Sequence, residues 1–391
     1  MRKIELLSPA GDMNKLKTAF YYGADAVYIG GKSMSLRALA GNFSDEELLE
    51  AVNYAHSINK KVYVTVNIFG RNEDIEQAEK YFKYLEKIGV DGAIVSDTGL
   101  IYLARTVAPN LSINLSTQAN TLNYKTVEFW KEQGVKRVIL ARELSLNEIK
   151  GISDKVPNIE IETFIHGAMC ISYSGRCLLS NFYTGRDANR GACAQPCRWN
   201  YKNSLPLAFS EEKRLEDPLN IEEYKEGSFV MSSKDMCMIE HISDLMESGI
   251  DSFKIEGRMK SAYYTAICAN TYKMAINEYL KSPENYKYNP LWLRELESVS
   301  HREYATGFYY DNPMGNPQVV TQNGYLREKA YLCVATGDTE GEYTYFTQRN
   351  KIKEGDICEI ITPGQVGKKF IATDLRLPNG DKIESAPHPS M

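Results

Sequence analysis

The stretch "KIGVDGAIV", residues 87–95, decides the fold because a single glycine joins the end of an amphipathic segment to an apolar run. The same junction recurs as "YYGADAV" at 21–27, "EQGVKRV" at 132–138 and "ESGIDSF" at 247–253. Glycine commonly ends helices, and an apolar run directly after it indicates a strand. The repeated junction therefore predicts alternating strands and helices, the pattern of a parallel α/β sheet.

Apolar runs mark nine candidate strands before residue 280. They lie at 4–9, 25–30, 61–69, 92–97, 111–117, 137–142, 159–167, 229–233 and 252–257. Helical patterns lie between them, and one opens with a capping box at Ser44 and Glu47. No G-x-G-x-x-G follows the first strand, so a dinucleotide-binding sheet has no support. About eight strands at this spacing predict a (β/α)₈ TIM barrel, with one of the nine candidates outside it.

The regular alternation divides the chain into three regions. We predict a (β/α)₈-like barrel over 1–285, an irregular linker over 286–324 and a small C-terminal β-barrel domain over 325–391. A cysteine-bearing insertion at 168–228 follows the seventh strand, at the end of the barrel where active sites form. The chain stops at "APHPSM", so we expect the last strand of the β domain to be short or missing.

Composition restricts the class of protein. Hydrophobic residues make up 43% and charged residues 25%, which is ordinary for a soluble globular protein. No apolar run approaches the roughly 20 residues of a membrane span, and the N-terminus lacks the features of a signal peptide. We therefore expect a cytoplasmic protein with reduced thiols and no membrane partner.

The net charge of −5 argues against a protein that binds nucleic acid over most of its surface. A local basic patch nevertheless accompanies the cysteines. It contains Arg176, Arg186, Arg190 and Arg198. These arginines suit phosphate contacts, and the alternative is a solvated charged loop.

Four cysteines have the spacing Cys170-x6-Cys177-x15-Cys193-x3-Cys197. In a reducing compartment, such a cluster favours a metal over disulfides. The x6 spacing is unlike a zinc knuckle, whereas iron–sulfur clusters tolerate irregular spacing. An iron–sulfur cluster, a structural zinc and reduced packing cysteines all stay open, and Cys237 is a reserve ligand.

Polar residues gather at predicted strand ends. Lys254, Glu256 and Arg258 share one face of their strand, Glu162 and His166 share a face of theirs, and Arg142 ends the sixth strand. Together they predict a pocket for an anionic ligand at the barrel mouth. The alternative is a set of salt bridges inside the barrel. No H-E-x-x-H or G-x-S-x-G motif is present.

"ETFIHGAMCISYSGRCLLS", residues 162–180, resembles the signature of the U32 peptidase family, the collagenase-like proteins. The resemblance continues in "GRDANRGACAQPCRW" at 185–199, "SSKDMC" at 232–237, "SFKIEGRMKSAYY" at 252–264 and "QRNKIKEGD" at 348–356. It spans nearly the whole chain, and only the early stop departs from it. Within this family, the sequence is most similar to the branch that makes 5-hydroxyuridine at the wobble position, U34, of tRNA.

The resemblance implies a tRNA uridine hydroxylase that uses prephenate as oxygen donor and needs no O₂. Related hydroxylases hold a [4Fe–4S] cluster on four cysteines and work as heterodimers. The resemblance thus implies a family paralogue as partner and a cluster on Cys170, Cys177 and Cys193. The fourth ligand varies among the relatives, and we expect it to be Cys197, with Cys237 in reserve.

We expect the remaining site residues to line the pocket and to contact RNA. The residues that line the pocket for the donor or the uridine are Arg142, His166, Lys254, Glu256 and Arg258. The four arginines of the basic patch contact tRNA phosphates, and a flipped base stacks on Tyr173 or Trp199. Two alternatives are a collagenase-like peptidase and a non-catalytic RNA-binding partner subunit with structural zinc.

Overall fold

The computed structural model describes residues 4–35, 41–173, 175–199, 232–310 and 325–387. Ten strands pair into one large sheet. In chain order they are β1 Glu5–Pro9, β2 Ala26–Gly30, β3 Lys61–Val66, β4 Gly92–Val95, β5 Ile113–Leu115, β6 Arg137–Ile139, β7 Glu160–Ala168, β8 Asp235–Cys237, β9 Ser252–Ile255 and β10 Tyr304–Ala305. Strands β1 to β7 and β9 are parallel and close into a barrel, since β9 pairs with both β7 and β1. The predicted (β/α)₈ barrel is confirmed.

Helices connect the barrel strands or follow the last of them. In chain order they are α1 Met13–Tyr21, α2 Asp45–Ser57, α3 Ile75–Ile88, α4 Thr98–Val107, α5 Tyr124–Glu132, α6 Leu146–Lys155, α7 Leu179–Thr184, α8 Ile242–Glu247, α9 Ala262–Lys281 and α10 Pro290–Glu297. The capping box of Ser44 and Glu47 opens α2 as predicted. Gly89 ends α3 with φ +74°, a left-handed conformation that favours glycine. No helix in the described ranges is long and apolar enough to cross a lipid bilayer.

Two strands of the large sheet, β8 and β10, lie outside the barrel. Strand β8 runs antiparallel to β7 and pairs on its other side with β10. Residues 229–231 of the strand candidate at 229–233 lie outside the described residues, and the nearby β8 begins at Asp235. The cysteine-bearing segment leaves the barrel after β7, and β9 is the eighth barrel strand.

The predicted irregular linker contains regular structure in its described part. The Asn289 side chain accepts a hydrogen bond from the Leu291 N–H and caps α10, with Pro290 in the first turn. Trp292 and Leu296 are buried, so this helix packs against the protein core. The prediction of irregular structure throughout 286–310 is wrong, because tyrosine and proline content obscured this short amphipathic pattern. Residues 311–324 lie outside the described residues.

The C-terminal region is all-β, as predicted. Its strands are β11 Cys333–Glu340, β12 Tyr343–Gln348, β13 Ile352–Lys353, β14 Ile357–Ile360, β15 Lys368–Ile371 and β16 Ser385–Ala386. They form three two-stranded antiparallel sheets, β11 with β12, β13 with β16, and β14 with β15. The last described strand, β16, has two residues.

Candidate active site

A cavity of about 130 Å³ opens at the carboxyl ends of the barrel strands, where TIM-barrel enzymes place their active sites. Pockets for drug-sized ligands measure about 300–1,000 Å³, so this cavity suits a small acid or a single base. The segment that follows β7 forms part of its wall. The predicted catalytic residues that line it are Arg142, Lys254, Glu256 and Arg258.

Three of the four clustered cysteines line the same cavity, namely Cys170, Cys177 and Cys193. Burial raises the pKa of the Cys197 thiol, Arg198 opposes that rise, and the other three cysteines add to it. The Cys197 sulfur therefore lies within electrostatic reach of the other three thiols. All four thiols are free of disulfides.

The cysteine set is compatible in its chemistry with the predicted iron–sulfur cluster, since such clusters are held by four thiolates. The Gln195 N–H donates to the Cys193 sulfur at 3.4 Å, and hydrogen bonds to sulfur are a common feature around clusters. Within the described residues, no three Cys, His, Asp or Glu side chains already stand in coordinating geometry for a single metal ion. The cluster and its ligand set stay predictions.

Two arginines flank the thiols. Arg142 donates to the Ala168 carbonyl oxygen at 3.0 Å and interacts with the Cys170 thiol. Burial acts to lower the pKa of Arg142, but the net pKa is raised because Cys170, Glu143 and Glu256 are close. Arg198 behaves alike, since burial lowers its pKa while Tyr325, Cys170 and other neighbours raise it overall. Both guanidinium groups stay charged beside the sulfur atoms.

A chain of buried charges leads from the cavity into the barrel interior. Lys254 Nζ lies 2.8 Å from Glu162 Oε1, and Glu162 Oε2 lies 2.9 Å from Arg137 Nη1. All three side chains are at most 4% exposed. Burial opposes ionisation of Glu162, but Lys254 and Arg137 outweigh it and lower the pKa of the carboxyl. Glu162 thus forms salt bridges inside the barrel, which was the alternative to a ligand pocket. Lys254 also lines the cavity.

Hydroxyl groups from β3 and from the segment after β2 hold Arg258 in place. Its guanidinium donates to Ser35 Oγ at 2.8 Å and to Thr65 Oγ1 at 2.9 Å. A Cβ at Gly30 would lie 2.1 Å from Arg258 Nη1, so only glycine leaves room for this arrangement. Glu256 accepts a hydrogen bond from Tyr28 at 3.0 Å, and both side chains line the cavity.

His166 lies apart from the other predicted catalytic residues. The pairing of β7 with β9 shifts register between Phe164 and His166, so one extra residue enters β7 there. Because side chains alternate, this irregularity turns His166 away from the face of Glu162, and the shared-face prediction is wrong. His166 is buried among Tyr264, Tyr272 and Tyr304.

The surroundings of His166 keep it neutral. Burial lowers its pKa to about 3, and Nδ1 lies 3.4 Å from the Tyr272 hydroxyl. Nε2 has no hydrogen-bond partner in the described part of the chain. A catalytic role for His166 stays a prediction that the geometry of the cavity does not favour.

Cys237, the reserve ligand, lies in the same outer layer. It is buried, its sulfur lies 3.8 Å from the Tyr272 hydroxyl, and burial raises the pKa of its thiol to about 12. Its charged neighbours Glu240 and Glu297 also act to raise this pKa. The structure does not bring Cys237 to the cavity lining.

The four arginines of the basic patch differ in their bonding partners. Arg190 forms two hydrogen bonds with Asp74, at 2.7 and 3.2 Å, and donates to the Phe69 carbonyl oxygen at 2.8 Å. This arginine joins the insertion to the barrel and lowers the pKa of Asp74. Arg176 and Arg186 are exposed. The partners of Arg198 are Gln195, Tyr325 and the thiols described above.

Sequence reasoning missed several residues that position the site. Four of them contact predicted site residues from other segments of the chain, namely Arg137, Tyr28, Ser35 and Thr65. A fifth, Gly30, leaves room for Arg258. The signal for Arg137 was a charged residue at the start of an otherwise apolar strand. Contacts between distant strands gave no local signal.

The fold and the cavity define a TIM-barrel protein with a cysteine-bearing segment at its mouth. A family model described as "Peptidase family U32" matches residues 11–318, and one described as "Peptidase family U32 C-terminal domain" matches 328–391. The chain therefore belongs to peptidase family U32, as the motifs predicted.

The chain is also similar to relatives with assigned names. "tRNA hydroxylation protein P1" of Bacillus subtilis is 42% identical over 99% of this chain and 90% of its own length. "tRNA hydroxylation protein P" of Escherichia coli is 36% identical over 99% of this chain and 92% of its own. "23S rRNA 5-hydroxycytidine C2501 synthase" of Escherichia coli is 36% identical over 70% of this chain and 39% of its own.

Proposed function

We propose that this chain is a tRNA-modifying enzyme that hydroxylates the wobble uridine, U34, to 5-hydroxyuridine. The observation that carries the proposal is the mouth cavity, in which Cys170, Cys177 and Cys193 meet Arg142, Lys254 and Arg258. Two relatives named for tRNA hydroxylation, similar over 99% of the chain, support the substrate class. The relative named for 5-hydroxycytidine in rRNA supports hydroxylation of a pyrimidine base.

The proposed cofactor is a [4Fe–4S] cluster on Cys170, Cys177, Cys193 and Cys197. When bound, such a cluster supplies one-electron redox chemistry. The chain's own contribution is positive charge, because Arg142 and Arg198 lie beside the thiols. Positive neighbours stabilise thiolates and the negative charge that four of them bring together.

The proposed oxygen donor is prephenate, used without O₂. Its carboxylates match Arg142, Lys254 and Arg258, because guanidinium and ammonium groups bind carboxylates well. In the net reaction one oxygen atom passes from the donor into the C5–H bond of uracil, so the base is oxidised by two electrons and the donor is reduced by two. Glu256 and its partner Tyr28 stand at the same cavity and can orient a polar edge of the base.

The peptidase alternative receives less support from the site. No histidine lines the cavity in the described part of the chain, so the cavity thiols have no Cys–His pair there. The second alternative is a non-catalytic RNA-binding subunit with a structural zinc, and such a protein would be colourless. A family paralogue as heterodimer partner and a cytoplasmic location accompany the proposed tRNA substrate as predictions.

Nucleoside analysis of tRNA from a deletion strain tests the function. We expect 5-hydroxyuridine and its derivatives to disappear when the gene and any paralogue are deleted, and to return when this chain alone is expressed. Unchanged derivatives in the complete deletion strain would refute the proposal. Gelatin cleavage by the purified protein would favour the peptidase instead.

A further inference from the structure

The segment after Cys177 carries aromatic side chains on the outside of the protein. Phe182 is 83% exposed, more than any other large hydrophobic side chain in the described residues. Tyr183 is 51% and Trp199 39% exposed. We call Phe182, Tyr183 and Trp199 the aromatic face. The cavity described above does not use any of the three.

The aromatic face is an ordered group rather than scattered side chains. The ring centroids of Phe182 and Tyr183 lie 5.4 Å apart, and those of Tyr183 and Trp199 lie 6.3 Å apart. The Trp199 indole N–H donates to the Ala194 carbonyl oxygen at 3.2 Å. The Ala194 N–H in turn donates to Ser180 Oγ, within α7, at 2.9 Å. These bonds tie Trp199 to the helix that carries the other two rings.

Positive charge accompanies these rings. Arg186 follows α7 by two residues, and Arg176 precedes it by three. Both side chains are exposed, and neither guanidinium forms a hydrogen bond or ion pair with another described residue. Arg190 differs, because Asp74 and the Phe69 carbonyl hold it. The combination of aromatic rings and arginines suits a strand that has both bases and phosphates.

The aromatic face is connected to the mouth cavity. Helix α7 begins two residues after Cys177, which lines the cavity, and its six residues span about 9 Å. Tyr173 is also part of the cavity lining and is 51% exposed. An RNA strand whose target base enters the cavity thus places neighbouring nucleotides beside α7.

We propose that the aromatic face stacks the unpaired nucleotides next to the target base, while Arg176 and Arg186 bind their phosphates. The proposal rests on the proposed function and adds that the substrate is recognised as a single-stranded loop. Bases in a duplex have no free faces for stacking, whereas splayed bases in loops do. A second copy of this chain is the alternative occupant, and the experiment distinguishes the two.

The experiment measures binding of the full chain to a uridine-containing RNA hairpin, with fully paired RNA of the same composition for comparison. The variants are Phe182→Ala, Tyr183→Ala and Arg186→Ala. The control is Phe129→Ala, which removes another exposed phenylalanine, 48% exposed, on α5. Affinity is measured over a range of salt concentrations, and oligomeric state is measured on the same samples.

We expect each aromatic truncation to weaken hairpin binding by roughly 5- to 150-fold with an unchanged salt slope, because base stacking contributes about 1–3 kcal/mol. Arg186→Ala should lower the logarithmic salt slope by about 0.7, the value for one phosphate of a single strand. Paired RNA should bind more weakly than the hairpin, and Phe129→Ala should bind like the wild type.

Two outcomes would overturn the proposal. The first is wild-type hairpin affinity in both aromatic variants, and the second is dissociation of an oligomer with RNA binding unchanged, which assigns the face to a second copy. Either result leaves the proposed function standing if the variants still restore 5-hydroxyuridine to tRNA in the deletion strain. Failure of the wild-type chain to restore it refutes the function separately.

Discussion

Two groups of cysteines in this chain have opposite surroundings. Cys170, Cys177 and Cys193 line a cavity at the barrel mouth, near two arginines. Cys237 and Cys268 lie in the layer outside the barrel and are almost completely buried. Residue type is the same in both groups, so the environment decides which thiols can bind a metal.

The environment acts through the protonation of sulfur. Burial raises the pKa of Cys237 to about 12 and raises that of Cys268 well above its ordinary value. A thiol that keeps its proton is neither a good nucleophile nor a metal ligand. At the mouth, Arg142 and Arg198 place positive charge close to Cys170. Two charged side chains also differ in their surroundings. Glu162 pairs with Lys254 and Arg137, whereas Arg258 is held by hydroxyl groups and lines the cavity.

The largest expected effect is the loss of function at a mouth cysteine. Cys193→Ser should abolish restoration of 5-hydroxyuridine in the deletion strain, because a hydroxyl group is a poor substitute for a cluster thiolate. Cys333→Ser, at a partly exposed cysteine of the C-terminal region, should restore it fully. Nucleoside analysis makes the measurement, and circular dichroism checks that both variants fold. Equal restoration by both variants would contradict the comparison.

Alkylation of the native, metal-depleted protein separates the two groups directly. At pH 8, a thiol with a pKa of about 12 is ionised in only about one molecule in 10,000, and burial of Cys237 also blocks access. We expect iodoacetamide to label the mouth cysteines first, with Cys237 and Cys268 labelled only after unfolding. Peptide mass spectrometry provides the rates. Rapid labelling of Cys237 in folded protein would show that the reagent reaches the layer outside the barrel, and it would contradict the burial of this thiol.

The buried ion pairs of Glu162 predict a stability effect. Glu162→Gln leaves Lys254 and Arg137 buried without this carboxylate and should cost about 3–5 kcal/mol in the free energy of unfolding. Glu160→Gln is the control, since that carboxylate also pairs with Arg137 but is 52% exposed, and should cost about 0–1 kcal/mol. Urea unfolding of both variants makes the measurement.

The pH dependence of this effect has a defined sign. The pKa of Glu162 is lowered in the folded protein, so its stabilisation is fully present above the unfolded pKa of about 4.3. It is lost as the pH falls through the lower, folded pKa. The stability difference between wild type and Glu162→Gln should therefore shrink in acid. A difference that grows as the pH falls would contradict the assignment of charges.

The smallest predicted effect concerns the space that Gly30 leaves for Arg258. Gly30→Ala places a methyl group against the guanidinium and should raise the KM for prephenate roughly tenfold, the loss of about one charge-assisted hydrogen bond. Gly151→Ala is the control, because nothing lies within 4 Å of its new methyl group. An unchanged KM in Gly30→Ala would exclude Arg258 from donor binding.

The barrel was predictable because its signals are local. Glycine junctions such as Gly89, the capping box at Ser44 and continuous apolar strands each depend on a few neighbouring residues. The mouth cavity also followed from strand order, since residues at the carboxyl ends of parallel strands meet at one end of a barrel. Arg142, Lys254 and Arg258 line this cavity.

The remaining features depend on contacts that sequence spacing does not encode. A register shift in β7 turned His166 to the outer layer, and strict alternation cannot reveal an extra residue. Arg190 pairs with Asp74, more than a hundred residues away. A charge run looks the same in sequence whether its arginines face solvent or pair with distant carboxylates.

We propose that the four clustered cysteines at the barrel mouth hold an iron–sulfur cluster. Iron, zinc and acid-labile sulfide are measured in anaerobically purified protein. We expect about four iron and about four sulfide per chain, as a [4Fe–4S] cluster requires. A colourless protein with one zinc per chain and neither iron nor sulfide would contradict it.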